Sequence, residues 1–191
     1  MSTMFVKLKS IPRTVKVPLI VHSDVTEVSF LDFKAGRIER GAKVETPLSL
    51  ALLLMKEGIA SLDEMSLPTL SEINKAAWLE MKSNELQKIS KDFYVRSSLL
   101  VWTASEDSYD FESERRLRFI KALLMDIVKS RLQKIVKLAL SNPVPSRDVI
   151  NSLTLEEEVL YLTMCNMIGS WLRYMRELVE GKVYERQYAK H

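Results

Sequence analysis

The chain has few residues that could do chemistry. Its 191 residues include two histidines, His22 and His191, and one cysteine, Cys165. Metal sites and nucleophile–base pairs need clusters of such side chains, and the five glycines form no phosphate-binding loop. Cys165 follows Met164 in an apolar helical pattern, which predicts a buried thiol rather than a nucleophile. This residue supply predicts no metal, no cofactor and no enzyme; a hydrolase that activates water with carboxylates alone is the alternative left open.

Charged residues form two groups of interest. Residues 156–158 are three glutamates at a predicted helix start, where acids interact favourably with the helix dipole. Arg115, Arg116 and Arg118 follow an acidic stretch, and this order favours ion pairs on a solvated helix face over a phosphate-binding patch. The net charge of +3 is too small to favour autonomous DNA binding, although residues 1–60 hold nine Lys and Arg against six Asp and Glu.

Strands are predicted for the first part of the chain. Residues 4–8 (Met4, Val6 and Leu8), 15–21 and 28–30 alternate apolar with less apolar side chains, which is typical of half-buried strands. Pro18 has no N–H to donate, so its strand is predicted to lie at a sheet edge or to begin pairing late.

A short helix is predicted for residues 46–58. Thr46 is the candidate N-cap, Pro47 suits the first turn, and Gly58 suits a left-handed C-terminal cap. The apolar residues around this helix are expected to pack together. They are Val44, Pro47, Leu48, Leu50, Ala51 and Leu54.

Helical spacing dominates after Leu62. We predict helices over residues 71–102, with a break near Ser83, over 111–140 and over 154–180. The last of these begins with Thr154 and a glutamate three residues later, which is the spacing of a capping box.

The fold class is therefore α+β. A small N-terminal β-rich domain is predicted for residues 1–62, a linker for 63–70, and a larger all-α helical-bundle domain for 71–191. No apolar run approaches the ~20 residues that a membrane-spanning helix needs. No signal-peptide pattern is evident either, which predicts an intracellular, cytoplasmic protein.

The predicted helices carry more apolar surface than three helices need for one core. Residues 111–140 have a wide apolar stripe, and residues 154–180 have apolar side chains at 4,3,4 spacing, which suits close helix packing. Part of this surface is predicted to contact another chain. The predicted interface residues are Ile120, Leu124, Ile127, Leu160, Met164, Met167, Trp171 and Met175.

The junction after the predicted strands resembles a signature of the GINS replication family. The family pattern is matched within residues 41–60 by Val44, by Pro47 followed by Leu50-Ala51, and by a Lys and a Glu before Gly58. Ser49 departs from it, because an aromatic residue is common in that position. The domain order is similar to that of the archaeal subunit that corresponds to the eukaryotic "two" and "three" subunits.

This resemblance implies a non-enzymatic scaffold in DNA replication. It implies a 2:2 hetero-tetramer with a sister subunit of reversed domain order. It also implies association with the MCM helicase and a RecJ-like protein at the fork, in a CMG-type complex, with nucleoid association, weak DNA contact at most and no membrane. The alternative is a nucleic-acid-binding regulator that uses Arg115, Arg116 and Arg118.

Overall fold

The computed structural model describes residues 3–26, 28–30, 33–106 and 110–182. In chain order the elements are α1 (Thr3–Thr14), β1 (Lys16–Val21), β2 (Val28–Phe30), β3 (Phe33–Ala35), β4 (Lys43–Pro47), α2 (Leu48–Lys56), β5 (Ala60–Leu62), a 3-10 turn (Glu64–Ser66), α3 (Leu70–Lys82), α4 (Phe93–Glu106), α5 (Phe111–Ser141), α6 (Arg147–Ser152) and α7 (Leu155–Val179). A small N-terminal sheet with helices thus precedes a larger helical part, which confirms the predicted α+β class.

Three antiparallel strands form the main sheet in the order β4-β1-β5. Val17, Leu19 and Val21 of β1 are fully or almost fully buried, as predicted, but Pro18 between them is buried too, so the alternation is not strict. The expected edge position of Pro18 is wrong, because β1 is the central strand. Its late pairing is confirmed on one side only, since the ladder with β5 begins at Leu19 opposite Leu62.

The first predicted strand is wrong, because residues 3–14 form helix α1. Met4, Leu8 and Ile11 are half-buried at i, i+4 and i+7, which is the period of one helix face, whereas Val6 is 57% exposed. Met4 and Leu8 belong to this helix face, and because they lie four positions apart they also fit the alternating pattern of a strand. The inward face of α1 packs against α2 and α7.

Helix α2 begins two residues later than predicted. Thr46 is buried in β4 and caps nothing, because Pro47 occupies the N-cap position without a side-chain hydrogen bond. At the other end Gly58 has φ +70° and donates its N–H to the carbonyl of Met55, which confirms the predicted left-handed cap.

The residues around α2 lie as follows. Leu50, Ala51 and Leu54 are buried, and Val44, Pro47 and Leu48 are half-buried. Ser49 donates a hydrogen bond from its hydroxyl to the carbonyl of Arg13, 3.2 Å away at the end of α1. The small side chain therefore lets α1 approach α2 closely.

In the helical part, the helix starts and ends agree closely with the prediction. Helix α3 ends at Lys82, and residues 83–92 are not helical, so the break predicted at Ser83 is confirmed but is ten residues long. Thr154 and Glu157 form the predicted capping box of α7, with both reciprocal bonds present. Helix α6 was not predicted, because six residues are too few for a periodic signal.

Helix α4 belongs to two cores at once. Val95 and Leu99 pack with the strands and α2, whereas Phe93 packs with α3 and α5. Arg96 of α4 also pairs with Glu45 of β4 at 2.9 Å. The sheet and the bundle therefore meet along α4.

The segment predicted as a linker has a fixed place in the fold. Asp63 is 2% exposed and accepts hydrogen bonds from Lys43, at 2.7 Å, and from Ser66, and these bonds hold its pKa below the usual value. Leu67 is buried with the sheet. The division of the chain into domains stays a prediction.

Candidate assembly interface

The predicted interface residues fall into two groups. Ile120 and Ile127 are 2% and 1% exposed in the core between α3, α4 and α5, so they offer no surface to another chain. Leu124 is half-buried beside them. Leu160 and Met164 are half-buried against the core between α5 and α7. These five side chains contribute packing within the chain.

The other three lie on the second half of α7. Met167 is 67% exposed and Trp171 is 60% exposed, whereas Met175 is half-buried. The inward face of the same helix is marked by buried Tyr161 and Cys165. The buried thiol agrees with the sequence prediction.

Helix α7 extends past the end of its neighbour α5. Gly169 lies against Pro143, just beyond the last residue of α5, and a Cβ added at Gly169 would be 3.8 Å from the Cβ of Pro143. From there α7 continues for ten residues to Val179, or about 15 Å at 1.5 Å per residue. The large exposed apolar side chains of its second half, which we call the α7 apolar face, are Met167, Trp171, Leu172, Tyr174 and Val179.

Further exposed apolar side chains lie on α3 and α5. Trp78 is 55% exposed on α3, and the ammonium of Lys82 lies 4.6 Å from the centre of its ring. On α5, Met125, Leu132 and Leu140 are exposed. Groups of exposed apolar side chains mark contact with other proteins, and the α7 apolar face is such a group on a helix that passes the end of its neighbour.

A buried ion network, which sequence reasoning missed, holds the bundle together. Arg131 of α5 is fully buried and binds Glu157 of α7 through two bonds of 2.7 and 2.8 Å. It also donates to Glu80 of α3 at 2.7 Å, and to the carbonyls of Gln87 and Ser152. One guanidinium thus joins α3, α5 and α7 with the last residue of α6 and the segment between α3 and α4.

Two further side chains complete this network. Lys134, one turn after Arg131, binds the carboxylate of Glu80 and its carbonyl. Tyr94 of α4 donates its hydroxyl to Glu157 at 2.8 Å. Helices α3, α4, α5 and α7 therefore each contribute at least one polar side chain.

The electrostatics of the network favour its charged form. Burial would lower the pKa of the Arg131 guanidinium, but hydrogen bonds and charge from Glu157 and Glu80 raise that pKa above its ordinary value. Burial, with the nearby charge of Glu157, raises the pKa of Tyr94 far above its usual range, so the hydroxyl stays protonated and donates. The chemistry of this cluster is structural, because every polar atom of Arg131 is used in binding other parts of the chain.

Glu156 is exceptional among the three glutamates at the start of α7. Glu157 binds Arg131 and Glu158 binds Lys91, but one carboxylate oxygen of Glu156 is buried without a hydrogen-bond partner. Burial raises its pKa, and the charges of Glu157 and Asp92 add to this effect. The ionised form of Glu156 is therefore less favourable in the folded chain than in the unfolded chain.

We expect Glu156→Gln to stabilise the chain at neutral pH. A raised folded pKa means that the stabilising effect of protonated Glu156 is complete below its ordinary value of 4.5 and is lost as pH rises through the folded pKa. The gain should thus be present at pH 7 and absent near pH 4, as measured by urea unfolding at both pH values. Glu158→Gln is the matched control and should bring no gain at pH 7. An equal gain from Glu156→Gln at both pH values would contradict the assignment.

The three arginines near the start of α5 are exposed. Arg115 lies 3.6 Å from Glu112 and Arg118 lies 3.4 Å from Glu114, and all four side chains are more than half exposed. Arg116 lines a shallow cleft between α4 and α5. This local pairing favours the solvated-face interpretation of the group.

The described part of the chain holds no group of three or more His, Cys, Asp or Glu side chains that could bind a metal ion. In the same residues, no helix combines the length and the apolarity that crossing a bilayer requires.

The α7 apolar face is suited to contact with another chain. The family model for the GINS complex protein helical bundle domain (Sld5) matches residues 67–176, which is more than half of the chain. The chain therefore belongs to the GINS complex protein family. Members of this family are structural subunits of a DNA replication complex and assemble with other GINS subunits. A search of curated proteins found no match.

Proposed function

We propose that this chain is the archaeal-type GINS subunit with the small β-rich domain first, corresponding to the eukaryotic "two" and "three" subunits. The sheet with α2 precedes the family's bundle domain along the chain, which supports this order. Its partner is a sister subunit of reversed domain order, in a 2:2 tetramer. Its role is structural, with no catalytic residue assigned.

The α7 apolar face is the proposed contact with the sister subunit. The single observation that carries this proposal is the exposure of Met167 and Trp171 on the second half of α7, which passes the end of α5. Burying such aromatic and methionine side chains is how stable interfaces gain most of their free energy. Met175, on the same face, completes the predicted contact.

Through this assembly the complex links the MCM helicase and a RecJ-like protein at the replication fork, close to the nucleoid. The sheet and α2 offer the second surface for these partners, and exposed Leu52 and Leu53 of α2 support this placement. The proposed domains of residues 1–62 and 71–191 then have different partners.

Co-expression with a reversed-order sister chain tests the proposal. We expect a stable species of four chains in sedimentation velocity and native mass spectrometry, because each exposed α7 face then becomes covered. The chain alone should form smaller species. A chain that stays monomeric at high concentration and forms no larger species with the sister would overturn the proposal.

A further inference from the structure

We propose that the outer face of α1 binds the phosphate backbone of duplex DNA. Lys9 and Arg13, one helical turn apart on the outward side of α1, and Lys16 just after the helix are all exposed. No Asp or Glu occurs before Asp24, so the helix carries no acid of its own. This α1 basic face is a different surface from the α7 apolar face, and its role goes beyond the proposed function.

The two basic groups of the chain differ in how far they are neutralised. Arg115 and Arg118 each have a glutamate of their own helix within 4 Å. In the described residues no ion pair joins Lys9, Arg13 or Lys16 to an acid. Positive charge that is not compensated locally is what attracts a polyanion.

Two of the three glutamates at the start of α7, the helix packed against α1, have other partners. Of the glutamates at the start of α7, Glu157 binds Arg131 and Glu158 binds Lys91. Burial raises the pKa of the third, Glu156. Helix α2 carries no acid between Leu48 and Lys56.

The structure also favours nucleic acid over a membrane or an acidic peptide. A membrane-surface helix inserts its apolar face, but Met4, Leu8 and Ile11 of α1 are turned inward against the protein. A peptide partner is anchored by large apolar side chains in pockets, whereas the outward face of α1 offers Lys9, Arg13 and small hydroxyl side chains, together with the small, exposed Val6. A phosphate backbone needs only positive charge along its path. Twelve helical residues extend about 18 Å, enough to follow about five base pairs.

Fluorescence anisotropy of the full chain with a labelled 20-base-pair DNA duplex tests this proposal. Three phosphate contacts predict that log K falls with log salt at a slope of about −2.7, so that affinity drops about 40-fold between 50 and 200 mM salt. The double variant Lys9→Glu/Arg13→Glu should weaken binding at 50 mM salt at least 10-fold. It should also make the salt dependence shallower, with a slope of magnitude about 0.9 or smaller.

The matched control is Arg115→Glu/Arg118→Glu, which changes the net charge by the same amount. We expect it to weaken DNA binding less than 3-fold. Equal losses in the two variants would show a net-charge effect only and would overturn the proposal, as would absence of wild-type binding at 50 mM salt. Binding of the wild type to phosphatidylserine vesicles but not to DNA would assign the face to membranes instead.

Folding and assembly provide the remaining readouts. Circular dichroism melting of each variant checks that the fold is intact, and Lys9→Gln/Arg13→Gln is the milder variant if charge reversal unfolds α1. Tetramer formation with a sister chain should be unchanged by the α1 variants, since they leave Trp171 untouched. A failure of DNA binding is therefore distinguishable from a failure of the proposed assembly.

Discussion

Replacing Arg131 by methionine is expected to lower the free energy of unfolding by about 3–5 kcal/mol, which is the usual cost of leaving a buried charge unpaired. Arg131 is fully buried, and both of its acidic partners, Glu80 and Glu157, are almost fully buried as well. Lys134 still neutralises Glu80 in the variant, so the unpaired charge is mainly that of Glu157. Urea unfolding at pH 7, followed by circular dichroism, measures the loss.

The controls separate a network effect from a simple change of charge. Arg118→Met removes an exposed partner of Glu114 and should cost less than about 0.5 kcal/mol. Arg131→Met/Glu157→Gln removes the unpaired charge as well and should recover part of the loss, and it provides the comparison if Arg131→Met does not fold. A loss of less than about 1 kcal/mol for Arg131→Met would contradict the role given to the network.

Replacing Trp171 by glutamate should weaken assembly with the sister subunit at least about 30-fold. A tryptophan at the centre of an interface commonly contributes 2 kcal/mol or more, and each 1.4 kcal/mol is a factor of ten in affinity. The charged side chain would also remain unpaired in an apolar contact. Because Trp171 is 60% exposed, the isolated chain should keep its fold. Sedimentation velocity of the co-expressed chains gives the result.

Trp78→Glu is the matched control for this prediction. Trp78 is exposed to a similar extent, at 55%, but lies on α3 rather than on the extending half of α7. Assembly should survive this change. If Trp78→Glu disrupts the tetramer and Trp171→Glu does not, the interface lies on α3 and the α7 assignment is wrong.

Structural features that depend only on residues close together along the chain could be predicted from the sequence. The capping box at Thr154, the left-handed cap at Gly58 and the ends of α5 are encoded within a few positions, and local patterns were enough to find them. Helix α1 was missed for a related reason: Met4, Val6 and Leu8 are too few to distinguish period 2 from period 3.6, and Ile11 decides in favour of the helix.

Local sequence patterns could not predict the buried ion network. Arg131 lies 51 positions after Glu80 and 26 positions before Glu157. Only the folded bundle brings the three side chains together. One signal was present, since Arg131 is four residues from both Ile127 and Ile135 and so lies in the buried stripe of α5. A cation in phase with core residues predicts a buried pair, but it does not identify the partner. The same limit applied to the interface residues, because Ile120 and Met167 look alike in sequence and differ only in what covers them.

The position of α4 between two cores has a mechanical consequence. A force applied to the sheet must move Val95 and Leu99, and the same rigid helix carries Phe93 against α3 and α5. Strain would therefore pass from the strands into the bundle instead of being absorbed at a hinge. Cutting the chain between β5 and α3 would expose apolar surface on both fragments, so each would lose part of its own interior.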